Sequence, residues 1–436
     1  MQSVASWGRL TDLPHDVTYL NDLNNVPNVL STKQPGLAFG MGRSYGDVCL
    51  NPGGILWNTT TLDRFIHFND KTGILECESG VLLSSISKLL IPSGWNLPVT
   101  PGTQFITIGG AIANDIHGKN HHKHGTFGEH VLSLTLVRTN GEIIECGPQR
   151  RPEWFAATIG GVGLTGVIIK ATLQLIKIPG PYLQTETIPF FNLNEFIELA
   201  DTSESSWEHT IAWIDGSSKK YHRGLFMRAQ PTTDTVDMPR SKYKLSIPFT
   251  PPFSCMNRLT YRPFNTAYFN LKKRHTRCIT HHESFLYPLD HIHHWNRLYG
   301  PKGFFQYQSV VPKDASLYAT QAMLDAIVQS GNSSFLSTIK TFSKYRSVGM
   351  MSFPMPGVTL ALDIPNRGVK TIKLLQRLDK IVLESGGRIY LAKDARMPRD
   401  VFKAGYPRLD EFLTYRDPGI HSALSQRLIE MTTSVL

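Results

Sequence analysis

The chain has 436 residues, of which 41% are hydrophobic, and it carries a formal net charge of +10 at pH 7. This length is more than one hydrophobic core usually serves, so two domains are expected. The sequence has no run of about 18 apolar residues, and its start, MQSVASWGRL, lacks a charged segment followed by an apolar one, so neither a membrane-spanning helix nor a secretion signal is indicated.

Short strand-like runs separated by turns fill the first part of the chain. Helical patterns there are confined to 82–91 and 153–159. Many strands with few helices between them predict an α+β domain rather than a doubly wound sheet. The predicted strands are 53–58, 64–68, 73–78, 131–138, 142–146 and 165–178, with a hairpin turn at Asn140-Gly141.

Two glycine-bearing loops interrupt this pattern, GMGRSYGD at 40–47 and TIGGAIANDIHGKNHHKH at 107–124. Glycine lets backbone N–H groups come close to a large anionic group where side chains would collide. The first loop is not a G-x-G-x-x-G turn that opens a helix, and it lacks the Gly-Lys-Ser/Thr of a phosphate-binding loop. Together the two loops predict a nucleotide cofactor.

The chain breaks at Pro179-Gly180-Pro181, where a second unit is expected to begin. Strands are predicted at 304–311, 334–342 and 359–364, and helices at 316–329 and 369–384. The pattern indicates a second α+β unit. The last helix has an apolar face made of Ile372, Leu375, Leu378, Ile381 and Val382.

The positive charge is concentrated in one segment. Residues 217–277 contain thirteen Lys and Arg and two Asp, whereas the rest of the chain has thirty-two basic and thirty-three acidic residues. Apolar and aromatic residues lie between these charges, which suits an anionic membrane face or a phosphate joined to a lipid. A flexible, solvated insertion is an equal alternative. No recognised nucleic-acid-binding motif is present.

Cysteines and histidines give no metal site. The five cysteines are scattered and never form a C-x-x-C pair, which is typical of reduced thiols in a cytoplasmic protein. Four histidines, His117, His121, His122 and His124, fall close together, and imidazole is a common metal ligand. The cluster contains no cysteine, and Asp115 precedes it without a recognised ligand spacing, so no metal is predicted.

Several motifs, in order along nearly the whole chain, resemble the vanillyl-alcohol-oxidase type of FAD oxidoreductases, and within it the decaprenylphosphoryl-β-D-ribose 2′-oxidase family. That family supplies the flavin subunit of an epimerase that makes an arabinose lipid donor for the cell wall. The motifs are SWGR (6–9), GRSYGD (42–47), LPVTPGTQFITIGGAIANDIHGKNHH (97–122), GGVGLTG (160–166), WNRLYGPKGFFQYQ (295–308), SFPMPG (352–357), GGRIYLAKDAR (386–396) and YPRLDEF (406–412).

This resemblance implies a PCMH-type FAD-binding domain at 1–180, which the C-terminal segment 388–436 completes. Residues 181–387 would form an α+β substrate-binding domain with an antiparallel sheet, and 217–277 a basic, mobile insertion within it. Relatives that attach FAD covalently often have His where this chain has Arg43, so non-covalent FAD is expected. The implied cofactor positions are Gly40, Gly42, Arg43, Ser44, Tyr45, Gly46, Gly102, Thr103, Thr107, Ile108, Gly109, Gly110, Asn114, Asp115, Ile116, His117, Ile168 and Tyr390.

The resemblance also implies catalytic roles for Lys393, His117 and Tyr45. A Lys at the substrate side could stabilise a developing alkoxide as a cation, or remove the hydroxyl proton as a neutral base. Mycobacterial relatives have a cysteine where this chain has Ala361, so inhibitors that trap that thiol should fail here. The implied substrate positions are Lys119, Trp213, Gln306, Gln308, Lys340, Thr359, Ala361 and Lys393.

The expected activity is oxidation of the C2′ hydroxyl of a polyprenylphosphoryl ribose to a ketone. A separate short-chain NAD(P)H-dependent reductase would then complete an epimerisation. The expected location is the cytoplasm, with 217–277 contacting the inner membrane face, and no nucleic acid is expected as a partner. Two alternatives remain open: a soluble aldonolactone or alditol oxidase with the same flavin core, and a flavin-binding scaffold without its own catalysis.

Overall fold

The computed structural model describes residues 1–217, 222–235, 245–332, 334–345 and 347–430. The strands are β1 Gln2–Ala5, β2 Asp12–Tyr19, β3 Gly36–Phe39, β4 Ile55–Asn58, β5 Phe65–Asn69, β6 Ile74–Glu78, β7 Trp95–Asn96, β8 Val131–Val137, β9 Ile143–Cys146, β10 Val167–Gln174, β11 Ile176–Lys177, β12 Tyr182–Phe190, β13 His209–Ile214, β14 Gly224–Pro231, β15 Leu245–Ser246, β16 Thr276–His281, β17 Ile292–His293, β18 Phe304–Pro312, β19 Ser337–Phe342, β20 Gly357–Pro365 and β21 Arg388–Ile389. The helices are α1 Val26–Thr32, α2 Leu83–Leu90, α3 Ile108–Ala113, α4 His121–His124, α5 Pro152–Thr158, α6 Leu193–Ser203, α7 Arg258–Lys272, α8 His282–Leu286, α9 Ser316–Ser330, α10 Val369–Glu384, α11 Arg399–Gly405, α12 Leu409–Leu413 and α13 Ala423–Leu428.

Two sheets form the first part of the chain. A four-stranded sheet has the order β1-β2-β4-β3, with β4 parallel to both β2 and β3. An antiparallel five-stranded sheet has the order β5-β6-β10-β8-β9 and packs on α2 and α3 through a shared apolar core. The predicted hairpin is β8 and β9, joined by a turn in which Gly141 has φ 85°. The sequence patterns missed β1, β2 and β3, which carry few apolar residues in alternation.

An antiparallel eight-stranded sheet forms the second unit, in the order β16-β12-β14-β13-β19-β20-β18-β21. Side chains of successive residues in a strand point to opposite faces, so the pairing register assigns each residue to one face. One face carries apolar residues such as Phe226, Ala212 and Ile339, which share a buried core with α6, α9 and α10. The opposite face carries the polar residues described below.

The basic segment 217–277 is not an insertion set apart from the sheet. Strand β14, which belongs to it, pairs along its whole length with β12 and β13. Two of its cations, Arg228 and Arg277, form ion pairs with buried Glu186 on β12. Residues 218–221 and 236–244 lie outside the described residues. The sequence patterns did not predict β14, because alternation within it was hidden by the charges around it, and the mobility of 217–277 stays a prediction.

The C-terminal residues return to the first part of the chain. The N–H of Gly36 donates to the carbonyl of Gly419 at 3.0 Å, and the N–H of Ala423 donates to the carbonyl of Leu50 at 2.7 Å. Strand β21 also joins the edge of the eight-stranded sheet through β18. The C-terminal segment therefore contacts both units, and the domain limits at 180 and 387 remain predictions.

Among the described residues, no helix is both long and apolar enough to cross a membrane. None of the five cysteines forms a disulfide. Burial raises the pKa of the Cys77 thiol to about 12 and that of Cys49 to about 12. Both thiols are therefore protonated at neutral pH, and neither is a nucleophile at rest.

Candidate functional site

The predicted substrate residues lie on one face of the eight-stranded sheet. Gln308 is paired with Ala361 across β18 and β20, and Lys340 is paired with Thr359 across β19 and β20. Residues opposite each other, or two apart along a strand, share a face. This face therefore gathers the side chains of Gln306, Gln308, Lys340, Thr359 and Ala361, together with Trp213 from β13.

His117 meets this face from the glycine-rich segment. Gln308 Nε2 lies 3.0 Å from His117 Nε2 and 3.1 Å from Thr359 Oγ1, and donates to both. With Nε2 accepting, the proton of the neutral imidazole is on Nδ1, a buried atom that has no hydrogen-bond partner in the structure. Burial, reinforced by the charges of Lys340 and Lys393, holds the pKa of His117 well below its usual value. His117 is therefore an N–H donor for a bound group and a poor base.

Aromatic rings surround His117. The rings of Phe353 and Tyr390 are stacked with centroids 4.6 Å apart, and the Phe342 ring lies 5.0 Å from the His117 ring. The Tyr390 hydroxyl donates to the carbonyl of Asn114 at 3.0 Å, while Asn114 Oδ1 is buried without a partner. Such a wall can pack against a planar ring system. Phe342 and Phe353 were not predicted as site residues, since isolated aromatics on strands and loops usually belong to the core.

The first glycine loop packs against the segment that carries Lys393. A Cβ at Gly46 would lie 1.6 Å from the carbonyl oxygen of Asp394, so only glycine allows this approach. The N–H groups of Tyr45 and Asp47 donate to the carbonyls of Ala392 and Asp394 at 3.0 and 3.2 Å. The contact brings Lys393 Nζ to 5.4 Å from the centre of the Tyr45 ring. Gly46 thus allows close packing between two protein segments, and its implied contact with the cofactor stays a prediction.

The second glycine segment begins at α3. Thr107 caps this helix, because its Oγ1 accepts from the N–H of Gly110 at 3.2 Å. A Cβ at Gly40 would lie 2.6 Å from the same Oγ1, which brings the two glycine segments together. A Cβ at Gly102 would meet no atom within 4 Å, so this loop borders open space. Ile108, Ile116 and Ile168 are buried in the core of the five-stranded sheet.

Asp115 anchors the second segment instead of facing open space. One carboxylate oxygen accepts from the N–H of Gly128 at 2.8 Å, and the other accepts from Ser352 Oγ at 2.5 Å. Burial raises the pKa of Asp115 to about 6. Both oxygens are used within the protein, so its expected role as a cofactor ligand has less support than the roles of Asn114 and His117.

Arg43 lies between aromatic rings. Its guanidinium is 4.2 Å from the centre of the Trp7 ring and 5.9 Å from that of Phe105. Arg43 Nε is buried without a partner, and burial lowers the pKa of the group, opposed by the negative charge of Asp290. Asp290 also accepts from the N–H of Gln104 at 2.9 Å, next to Thr103. Arg43 is held as a donor at the edge of the glycine loops.

Three lysines converge on the polar sheet face. Lys119 Nζ donates to the carbonyl of Leu286 at 2.6 Å, and Lys340 Nζ donates to the carbonyl of Gly118 at 3.0 Å. Burial lowers the pKa of Lys119 to about 8. The pKa of Lys340 is well below its usual value, first because of burial and then because of the charges of Lys119 and Lys393. Burial and mutual repulsion disfavour the charged forms of these lysines, and a bound anion would favour their protonated forms.

Asp363 is a site residue that the sequence reasoning missed. Its side chain is fully buried on the polar face of β20 and accepts from Gln306 Nε2 at 2.6 Å and from the Tyr299 hydroxyl at 3.2 Å. Burial raises its pKa, and its charge opposes the lowering of the Lys393 pKa that burial causes. The signal was present: in TLALDI, alternation places Asp363 on the same face as Thr359 and Ala361.

The four clustered histidines point to separate neighbours. His122 Nε2 lies 2.7 Å from the carbonyl of Trp207, and His124 Nε2 lies 2.6 Å from Glu208 Oε1. The His121 ring packs at 4.5 Å from the Phe342 ring. In the part of the chain that the structure describes, no group of three or more His, Cys, Asp or Glu side chains could hold a metal ion.

The arrangement fits a large group with a planar ring and polar edges. Buried polar atoms are normally hydrogen-bonded, so unpartnered ones at a cleft indicate where a ligand would bond. They occur in the glycine segments, beside Gly109 at Ser79, and on the polar sheet face. They include Arg43 Nε, Ser79 Oγ, Asn114 Oδ1, His117 Nδ1, Gln306 Oε1 and Gln308 Oε1.

The sequence is similar to those of known proteins. Residues 21–147 match a family described as an FAD binding domain. The chain is 35% identical to decaprenylphosphoryl-β-D-ribose oxidase of Mycolicibacterium smegmatis, over 95% of this chain and 93% of that protein. It is 28% identical to an uncharacterized protein of Streptomyces coelicolor over 80% of this chain and 100% of that protein. L-gulonolactone oxidase of Bos taurus is 29% identical over 37% of this chain and 36% of that protein.

These matches confirm the expected PCMH-type α+β fold and FAD as the cofactor. Asn114 and His117 have unpartnered buried polar atoms and Tyr390 belongs to the aromatic wall, so their assignment to the cofactor stays a prediction that the structure is consistent with. The match over nearly the whole length extends beyond the flavin domain to the strands that carry Gln308, Lys340 and Asp363. The chain is an FAD-dependent oxidoreductase acting on CH–OH groups, and it belongs to the decaprenylphosphoryl-β-D-ribose oxidase family.

Proposed function

We propose that this protein oxidises the C2′ hydroxyl of a polyprenylphosphoryl ribose to the 2′-keto sugar. The observation that carries the proposal is the placement of buried Lys119 and half-buried Lys340 together at the polar sheet face: Lys340, opposite Thr359, donates to the carbonyl of Gly118, the residue directly before Lys119. Like charges at close range are costly unless an anion binds between them, and a phosphodiester supplies that anion. A neutral lactone or alditol would offer no anion to Lys119 and Lys340, whereas Lys393 already has the carboxylate of Asp363 nearby.

FAD supplies the hydride acceptor when it is bound. Gln308 and His117 fix each other through the 3.0 Å contact between their nitrogens, so the His117 Nδ1–H has a defined direction. Trp213, buried on the same face, offers an apolar surface to one side of a sugar ring. These groups orient the ligand and exclude water from the reacting carbon.

Lys393 is the group best suited to take the hydroxyl proton. Its pKa is lowered by burial, so a larger fraction of Nζ is neutral and basic than in water. His117 is less suitable, because its Nε2 lone pair already accepts from Gln308. After transfer, the Lys393 ammonium would be stabilised by the carboxylate of Asp363, which Gln306 and Tyr299 hold in place. Tyr45, whose pKa burial raises, stays protonated beside Lys393.

The product of this step is a ketone that still carries the phosphate and lipid. A second enzyme that delivers hydride from NAD(P)H to the opposite face would give the epimeric alcohol. We therefore propose a nicotinamide-dependent reductase of the short-chain type as the functional partner.

The test is an anaerobic titration of the purified yellow protein, followed by the visible absorbance of its oxidised cofactor. Polyprenylphosphoryl ribose in detergent is compared with free ribitol and gulonolactone. The expected result is rapid bleaching by the lipid-linked sugar alone. Bleaching by the free polyol or lactone alone would instead identify a soluble oxidase.

A second measurement tests whether substrate affinity depends on a lysine of the site or on any loss of positive charge. Lys340→Met is expected to weaken binding of the phosphorylated sugar about tenfold or more, since a charge-assisted contact to phosphate is lost. The matched control is Lys380→Met, which removes an exposed cation on α10 that pairs with Glu384. Equal affinities in the two variants would contradict the proposed phosphate site.

FAD is expected to be bound without a covalent link, because a guanidinium at position 43 cannot readily bond to the flavin ring. Acid precipitation should therefore release all the yellow colour into the supernatant. Colour retained in the protein pellet would show a covalent attachment at another residue.

A further inference from the structure

Helix α7 has two apolar rows on opposite sides. Tyr261, Asn265 and Phe269 are buried against the protein. Residues 259, 263, 267 and 271 repeat with the same four-residue spacing, two residues out of step with the buried row. Two residues correspond to about 200° around an α-helix, so the second row lies nearly opposite the first.

The second row faces solvent although its residues are apolar. The side chains of Leu259 and Leu271 are 87% and 82% exposed, and Pro263 and Ala267 between them are also exposed. The row extends for roughly 18 Å, the rise of twelve helical residues. Two exposed leucines at the ends of one apolar row are unusual for a helix whose other side already packs on its protein.

The segment that contains this row has basic residues and no acidic ones. Residues 238–282 contain no Asp or Glu. Arg277, on strand β16 after α7, forms an ion pair with Glu186 on β12. The other Lys and Arg residues that the structure describes in this stretch lie on α7 or directly after it: Arg258, Arg262, Lys272, Lys273 and Arg274. An anionic bilayer takes leucines into its acyl boundary and cations at its headgroups, and α7 with the residues directly after it supplies both.

The inner side of α7 connects to the substrate face of the sheet. Phe269 packs in one cluster with Trp213 and Leu225, and the Tyr268 ring lies 5.0 Å from the Trp213 ring. Asn265 Nδ2 donates to the carbonyl of Ser334 at 3.2 Å, just before β19. Helix α7 therefore packs directly on Trp213, one of the implied substrate residues, with its outer row on the opposite side.

We propose that the outer row of α7 is a membrane-docking face that binds anionic lipid headgroups and inserts Leu259 and Leu271 into the bilayer. The role rests on the proposed function, because a lipid-linked sugar must be taken from a bilayer. It narrows the expected membrane contact from the whole of 217–277 to one face of α7. The occupant is a lipid surface, in keeping with the exposed leucines and the absence of Asp and Glu from residues 238–282.

The experiment is co-sedimentation of the FAD-loaded protein with vesicles of phosphatidylcholine, prepared with or without phosphatidylglycerol. The wild type is expected to bind the anionic vesicles, and added salt should weaken the binding. Leu259→Glu combined with Leu271→Glu should lower the partition about tenfold or more, because two apolar anchors become anions. The matched control is Leu89→Glu with Ile143→Glu, which places the same charges at two residues that are each 54% exposed elsewhere.

Turnover of a detergent-solubilised lipid sugar is measured beside binding. Both double variants should keep wild-type turnover there, and the α7 variant alone should lose turnover of the same substrate embedded in anionic vesicles. Wild type that fails to bind anionic vesicles, or equal binding by the two double variants, would overturn the docking face. Loss of reductase binding in the α7 variant with vesicle binding intact would reassign the face to a protein. Absence of turnover in detergent with vesicle binding intact would instead reject the proposed substrate and keep the docking face.

Discussion

The two faces of the eight-stranded sheet use the same strands for different purposes. On one face, residues such as Phe226, Ile339 and Leu360 are buried with the helices, and their contribution is burial of apolar surface. On the other, Gln308 and Asp363 are just as buried but are held by directed hydrogen bonds. Because successive side chains point to opposite faces, neighbouring residues of one strand can serve the apolar core and the candidate site. We therefore expect substitutions on the apolar face to lower stability and substitutions on the polar face to lower turnover.

The largest effect is expected from Lys393→Met. Removal of the group that takes the hydroxyl proton should lower kcat by about 10²–10⁴-fold, the usual contribution of a general base. FAD content and thermal stability should stay near wild type, since the methionine keeps the length of the side chain. Lys380→Met is the control, and single-turnover reduction of the cofactor is the measurement. A loss of less than threefold would remove Lys393 from proton transfer.

Phe226→Ala tests the apolar face. The change leaves a cavity beneath α6, where Phe196 packs against Phe226, and should reduce the free energy of unfolding by about 3–5 kcal/mol. The protein that remains folded should bind substrate and turn over normally, because no site residue is touched. Denaturant unfolding and turnover at low temperature are measured together. A kcat reduced as strongly as in Lys393→Met would contradict the separation of the two faces.

Asp363→Asn tests the polar face through pH. Neutral Lys393 is the active form, so kcat/KM should rise with pH and level off above the pKa of Lys393. The Asp363 charge raises that pKa, so its removal should lower the pKa further and move the rising limb to lower pH by about one to three units. The pH profile of kcat/KM is the measurement, with exposed Asp201→Asn as the control. An unchanged limb would uncouple Asp363 from Lys393, and a limb that falls with pH would make Lys393 a cationic stabiliser.

The smallest effect on turnover is expected from Ala361→Cys. Ala361 lies opposite Gln308 on the polar face, and a thiol there adds one atom without removing a hydrogen bond. Turnover should change less than about threefold, since no group that binds or moves a proton is lost. The variant should become sensitive to inactivation by electrophiles that trap an active-site thiol, whereas the wild type stays insensitive. Inactivation of both proteins alike would point to another cysteine, such as exposed Cys278.

The sequence predicted the elements whose periodicity reflects burial on one face. The long helix α10 was found at 369–384 as predicted, because its buried Leu375 and Leu378 follow the helical repeat. Strand β20 was found slightly longer than predicted, and it begins at Gly357. Strand β14 was missed, since the charges of the surrounding segment masked a central strand whose pairing partners lie elsewhere in the chain.

For the site, the sequence by itself determined which residue types were available. The motifs contain His117, Gln308 and Lys393, and the family resemblance assigned these three and Lys340 to the cofactor or substrate. Only the tertiary structure decided which of them meet. The pairing of β18, β19 and β20 brings Gln308, Lys340 and Asp363 to one face, and the contact at Gly46 brings Tyr45 to Lys393. Local sequence carries propensity and periodicity, whereas distances between remote residues and the burial that shifts a pKa depend on the packing of the whole chain.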